Sequence, residues 1–326
     1  MKILVTGGAG YVGSVVTRDL LNHGHEVRVL DCLLYGGRSL LGLYPEERFS
    51  FLRGDIRKES DLEKALDGMN AVIHLAALVG DPACTRQPEL AREINLEASL
   101  RLFELSRKNQ VERFLFASTC SNYGRMSDPN GCLTEDSPMQ PVSLYAETKV
   151  GVERALLAAP RSARPSATVL RFATVFGLSP RMRFDLTVNE FTKELLTKQK
   201  VTIYGEQFWR PYVHVRDAAR AIRLVLESPS AKVAGQAFNV GDNDQNYQKG
   251  QLVELIRRQI SNHVQIERVA KAEDPRDYRV SFEKIQRELG FEITRTVQEG
   301  VQEIIDAISQ GVVSDVEGSD YRNTPA

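Results

Sequence analysis

Six short, almost unbroken apolar runs separated by helix-length segments constrain this chain more than any other feature. KILVT (2–6), EVRVL (26–30), FSFLRG (49–54), AVIHLAA (71–77), RFLFAS (113–118) and ATVLRF (167–172) read as strands, with helices between them at 11–23, 59–67, 87–109 and 145–159. Strands that are apolar on both sides need cover on both faces, and strand–helix alternation supplies it. The expectation is an α/β, Rossmann-type doubly wound parallel sheet over 1–172. Beyond 173 the pattern loosens. A helix at 184–198, a short strand YVHV (212–215) and helices at 216–227 and 248–261 suggest a smaller domain over 173–313, with some segments returning to the first. The end, SDVEGSDYRNTPA, is polar and aperiodic, so 314–326 is expected to be a frayed, flexible tail.

Composition narrows the partners. With 326 residues, 42% hydrophobic and 26% charged, the chain reads as a soluble globular protein, and its formal charge of −1 gives no basic face for nucleic acid or a membrane surface. No apolar run is long enough to span a bilayer and no secretory leader is legible, so a reduced, cytoplasmic protein is the expectation. Cys32, Cys84, Cys120 and Cys132 show no C-x-x-C spacing, and the five histidines show no H-E-x-x-H. No metal and no disulfide framework is therefore expected.

The first strand runs into T-G-G-A-G-Y-V-G, with Gly7, Gly10 and Gly13 set to form a tight turn ahead of an amphipathic helix. Such a turn lets backbone approach a pyrophosphate, and the helix start aims N–H donors at it. The second strand ends in Asp31, about twenty residues on from the turn, where a carboxylate accepts the hydroxyls of an adenosine ribose. Because that acid would repel a 2′-phosphate, NAD is expected over NADP. Asp55 and Ile56, after the third strand, could sit beside the adenine; a helix-capping aspartate and a core isoleucine account for them equally well.

SLYAETK places Tyr145 and Lys149 four apart, on one helix face. A free phenol ionises near pH 10 and is a poor base; a neighbouring ammonium and a nicotinamide cation both favour the phenolate. FLFASTCSNYG (114–124) is an apolar strand that turns abruptly polar.

Together, T-G-G-A-G-Y-V-G, Asp31, HLAA, FASTCSNYG and Y-A-E-T-K resemble the extended short-chain dehydrogenase/reductase superfamily, and within it the NAD-dependent nucleotide-sugar epimerase/dehydratase family. The resemblance continues through LRFATVFG (170–177), Asn189, YGEQFWRPYVHVRDAARAI (204–222) and FNVG (238–241). It implies cofactor contacts from Tyr11, Val12, Leu75, Ala76, Ala77, Ser118 and Phe172, besides the residues named above. It places a third catalytic hydroxyl on Thr119, working with Tyr145 and Lys149. It implies substrate contacts from Cys120, Ser121 and Thr174, diphosphate contacts from Arg210 and Asn189, and a nucleotide contact from Arg276. Arg181 and Arg183, in the distinctive stretch FATVFGLSPRMRFDLTVNEF, could stand at the substrate mouth. An arginine suits phosphate because its planar fork binds oxygens in pairs. Helices 87–109 and 145–159 resemble the pair that builds a dimer interface in relatives, which implies a homodimer.

Two departures matter. The 4,6-dehydratases of this family carry an acidic residue directly after that threonine, whereas here Cys120 and Ser121 follow, which bears on the reaction; Thr174 stands where relatives often have asparagine, which bears on local substrate contacts. The expected activity is therefore that of an NAD-dependent enzyme acting on a nucleotide-diphosphate sugar through a 4-keto intermediate, a 4-epimerase first. A 4-dehydrogenase or 4-ketoreductase would use the same residues, and a 4,6-dehydratase fits less well. A non-catalytic dinucleotide-binding protein would be expected to have lost the tyrosine or the lysine.

Overall fold

The computed structural model describes residues 1–126, 128, 131–260, 263–274 and 276–323. Its strands are β1 (Lys2–Thr6), β2 (Glu26–Asp31), β3 (Phe49–Arg53), β4 (Ala71–His74), β5 (Arg113–Thr119), β6 (Ser166–Phe172), β7 (Thr174–Phe176), β8 (Lys200–Tyr204), β9 (Trp209–His214), β10 (Gln236–Val240), β11 (Asn246–Gln248) and β12 (Gln265–Val269). The helices of the first half are α1 (Tyr11–Asn22), α2 (Glu59–Leu66), α3 (Asp81–Arg86), α4 (Pro88–Arg92), α5 (Ser99–Lys108) and α6 (Leu144–Ala158). Those of the second half are α7 (Thr187–Lys198), α8 (Val215–Glu227), α9 (Ser230–Val233), α10 (Lys249–Arg257), α11 (Glu283–Leu289) and α12 (Val297–Ser309).

The main sheet is parallel throughout, in the order β10-β6-β5-β4-β1-β2-β3. Alternate side chains go to opposite faces. Ile3 and Val5 join Val16, Leu20 and Ile222 on one side, while Leu4 joins Leu62, Phe114, Phe116 and Val152 on the other. The strand order reverses between β1 and β4, and the crevice at the carboxyl ends of such neighbours is where ligands of this architecture bind. The later part places β10 at the edge of the main sheet. It also forms two small sheets, β11-β9-β7 and β12-β8. Neither β8 nor β12 was foreseen, because each is half polar and they pair with each other at a distance in sequence.

Three expectations need correction. The single helix at 87–109 is three pieces: α4, a π-helical turn at Glu93–Ala98, and α5. Inside that turn, buried Asn95 accepts from the Leu78 N–H (2.8 Å) and donates to the Leu78 carbonyl (2.9 Å), so its side chain takes up the next loop. The helix foreseen at 248–261 is Lys249–Arg257, with residue 261 outside the described residues. The tail is packed through Asn323. Glu317 bonds Lys193 (3.1 Å), the Tyr321 ring meets Phe184 edge-on at 5.5 Å, and Phe184 N–H donates to the Tyr321 carbonyl (2.9 Å). Residues 324–326 lie outside the description.

Candidate active site

A cavity of about 660 Å³ runs along the carboxyl edge of the sheet, from the glycine turn and Asp31 past Thr119 and Tyr145 to Arg210 and Arg276. At its first end the turn is backbone against backbone. Gly7 has φ +75°, and a Cβ there would stand 2.7 Å from the Ala76 nitrogen; a Cβ on Gly13 would stand 2.1 Å from the Gly7 carbonyl oxygen. Helix α1 starts at Gly10 with no side-chain cap and no acid in its first turn, which leaves its N–H donors for an incoming anion. Asp31 accepts from Ala9 N–H (3.0 Å) and Leu33 N–H (2.8 Å), one on each oxygen. Burial pushes its pKa up and the two N–H groups oppose that. Each oxygen keeps a free lone pair. Val12, Asp55, Ile56, Leu75, Ala76, Ala77 and Phe172 line the same space, and so does Tyr11, whose hydroxyl donates to the Gly177 carbonyl at 2.6 Å. The uncapped helix, the Cβ-free turn and the ribose-type acid fit a dinucleotide.

The strand end that turns polar faces the middle of the cavity. Thr119 Oγ1 accepts from Ser121 N–H (3.1 Å) and lies 2.8 Å from the Ser121 hydroxyl. Lys149 donates to the Ala117 carbonyl (2.9 Å), with its ammonium 5.8 Å from the Tyr145 ring centre. Burial pushes the Lys149 pKa down to about 8, against the pull of Glu153 one turn on and of Cys84. Burial also pushes the Tyr145 hydroxyl up, with Cys84 and Asp81 adding to it and only Arg183 opposing. The sequence expectation has a neighbouring ammonium and a nicotinamide cation favouring the phenolate; among the protein's own groups burial dominates, and the cation that opposes it is Arg183.

Beneath the site lies a buried ion pair that sequence reasoning missed. Glu153, fully buried, takes Arg171 on Oε2 (2.8 Å), and the Ser118 hydroxyl and Asn122 amide on Oε1. Tyr123 donates to Asn239 at 2.7 Å. This network ties the end of β5 to α6, the helix that carries Tyr145 and Lys149.

Two expected contacts are corrected. Cys120 does not face the cavity. The 3-10 turn Cys120–Tyr123 sends Thr119 and Ser121 outward, and Cys120 into the core, where its thiol donates to the Arg171 carbonyl (3.2 Å) and burial raises its pKa. Asn189 is fully buried and spent on protein. It accepts from Gly177 N–H (2.9 Å) and donates to the Arg183 carbonyl (2.8 Å) and the Tyr11 hydroxyl (3.2 Å), so no amide group remains for phosphate.

Thr174, Ser121, Arg210 and Arg276 also line the cavity. Arg210 pairs with Asp274 at 2.8 Å, and Arg276 with Asp81 at 2.9 Å. Sequence reasoning did not name Tyr35, Lys249, Tyr278 or Asn323, which also line it. Arg183 is locked to Asp185 through two bonds of 2.9 Å, while Arg181 lies over the Tyr35 ring at 4.4 Å and donates to the Arg322 carbonyl. Asn323 N–H donates to Asp185 and its carbonyl accepts from Tyr35 (3.1 Å), so the tail forms part of the wall. No local pattern could have announced this.

The chain is similar to known proteins in sequence and in fold. A family model described as the NAD dependent epimerase/dehydratase family matches residues 3–241. The chain is 32% identical over 309 residues to a UDP-glucose 4-epimerase of Corynebacterium glutamicum, covering 89% of this chain and 90% of that one. It is 30% identical over 318 residues to a dTDP-glucose 4,6-dehydratase of Streptomyces niveus, covering 94% and 92%. The crystal structure of the Thermus thermophilus UDP-glucose 4-epimerase in complex with NAD superposes with a TM-score of 0.81 at 28% identity, covering 94% of this chain and 98% of that one.

Proposed function

The chain belongs to the NAD-dependent epimerase/dehydratase family and takes NAD as its cofactor, and from there we propose that it inverts C4 of a nucleotide-diphosphate sugar through a 4-keto intermediate. The observation that carries this reading is the turn after Thr119. Cys120 is buried in the core and Ser121 is not an acid, so the turn offers no carboxylate to take a proton from C5. The acids lining the far end, Asp81 and Asp185, are each paired with an arginine.

NAD supplies the capacity to take a hydride from a sugar carbon and to return it. The protein's own share is proton handling and position. Tyr145 takes the proton of the C4 hydroxyl and later gives it back, while Thr119 holds the same oxygen by a hydrogen bond. Burial keeps Tyr145 protonated until a cation approaches, and Lys149 and Arg183 are the protein cations near it. Arg210 and Arg276 hold the diphosphate, so the sugar can turn its other face while its nucleotide stays fixed. Inversion needs no second acid and no outside oxidant. A homodimer through α5 and α6 is part of this reading, and light scattering coupled to size exclusion tests it.

The test is to load the protein with NAD and supply UDP-, dTDP-, GDP- and CDP-hexoses in turn, following reduced nicotinamide by absorbance and the sugars by proton NMR. Inverted C4 without lasting reduced cofactor is the expected result. Stoichiometric reduced cofactor with a released keto sugar would overturn inversion in favour of a dehydrogenase.

A further inference from the structure

At the far end of the cavity three cations converge on one carboxylate. Asp274, 3% exposed, receives Arg210 on Oδ2 at 2.8 Å and Lys249 on the same oxygen at 3.3 Å. Its Oδ1 accepts the Arg276 N–H (3.0 Å) and lies 3.9 Å from the Arg276 guanidinium. The outer arginine has a second acid in Asp81, 2.9 Å away. Arg210 and Lys249 thus share a single negative charge, and a positive charge is left unmatched where little water reaches.

Lys249 is the costlier of the two. It is the first residue of α10, with no acid in that first turn, so the ammonium sits against the positive end of the helix dipole. Its side chain is 17% exposed. Burial and the charge of Arg210 both depress its pKa. Two of its three donors are held, by Asp274 and by the Tyr204 carbonyl at 3.1 Å. A cation kept at such a place is relieved by an anion arriving from the cavity that it lines.

We propose that Lys249 is a direct ligand of the substrate's diphosphate, working beside Arg210, and that Asp274 is the internal counter-ion that holds these two cations in place. A diphosphate diester brings the negative charge that this one unmatched positive charge lacks. The assignment rests on the nucleotide-sugar reading above and adds a residue and a charge balance to it.

Calorimetric titration of the NAD-loaded enzyme with UDP, dTDP, GDP and CDP identifies the tightest nucleoside diphosphate, which is then compared with its monophosphate. For Lys249→Met, affinity for the diphosphate is expected to fall about 10- to 100-fold, the range for a lost charge-assisted hydrogen bond, and affinity for the monophosphate far less. Lys249→Arg should recover most of the loss, and NAD titration should be unchanged in both variants. Equal weakening of mono- and diphosphate, together with a lowered melting temperature, would make Lys249 a merely structural residue and overturn the assignment. Unchanged diphosphate affinity in Lys249→Met would overturn it while leaving the nucleotide-sugar reading standing. If no nucleoside diphosphate binds the unmodified enzyme, both readings fall together.

Discussion

At the cofactor end of the cavity one continuous stretch, Lys2 to Asp31, supplies the strand, the glycine turn, the helix start and the ribose-type acid, and much of what a ligand meets there is backbone. At the other end Thr119, Arg183, Arg210, Lys249, Arg276 and Asn323 arrive on separate segments, and charged side chains from several of them converge. Backbone geometry follows from local sequence, because a turn with positive φ or no room for a Cβ admits little but glycine. Side-chain convergence depends on how distant segments dock. The first end has one solution written in one place, whereas the second can be rebuilt by changing any of several loops.

The largest expected effect separates the two ends. Tyr145→Phe should lower turnover about 10³-fold with NAD affinity unchanged, as measured by steady-state kinetics and cofactor titration. Near-full turnover by that variant would remove Tyr145 from the chemistry. Gly13→Ala attacks the other end, because its Cβ would stand 2.1 Å from the Gly7 carbonyl. Loss of about 1–3 kcal/mol of stability and a NAD affinity weakened at least about tenfold are expected, read by denaturation and fluorescence titration. NAD binding that survives the substitution would move the cofactor's seat away from this turn.

A third experiment probes the seam between the ends. Lys149 has a folded-state pKa of about 8 against an ordinary value of 10.5, so below pH 8 the folded protein bears the cost of a buried charge that the unfolded chain does not. The sign is that of a group holding fewer protons folded than unfolded, so wild-type stability rises with pH between 8 and 10.5. In the cofactor-free protein, Lys149→Met should therefore be more stable at pH 7 by roughly 1–3 kcal/mol, with the gain fading toward pH 10.5. Urea denaturation at both pH values checks this, and a gain that is the same at both would show that packing, not charge, sets it. The smallest effect is expected from ending the chain at Val313. The bonds from Arg181 and Asp185 to the tail are lost, and KM for the sugar nucleotide should rise about three- to tenfold while NAD affinity holds. An equal loss of both affinities would erase the distinction between the ends.

Much of the architecture was legible because each parallel strand is apolar on both faces and each crossover carries a helical period. The pieces that escaped were those whose partners lie far away. β8 pairs with β12 across more than sixty residues, and the π-turn at Glu93–Ala98 exists because Asn95 takes up the backbone of Leu78. At the site, Thr119, Tyr145, Lys149, Arg210 and Arg276 were all named from sequence, and all line the cavity. Cys120 and Asn189 were misplaced for a related reason. Local order puts Cys120 beside Thr119, but the 3-10 turn that follows rotates it into the core. Asn189 sits near the substrate residues, but three protein groups consume its amide.

The sequence by itself determined the doubly wound sheet, the seat for a dinucleotide and the helix bearing Tyr145 and Lys149, since each depends on residues close together in the chain. Only the tertiary structure decided which charges meet at the far end of the cavity. It set Lys249 and Arg210 on one carboxylate, brought Arg183 toward Tyr145, and laid an aperiodic tail against Tyr35 and Asp185. Those contacts join residues tens to hundreds of positions apart, and nothing in a local pattern of polarity records which distant side chain will meet which.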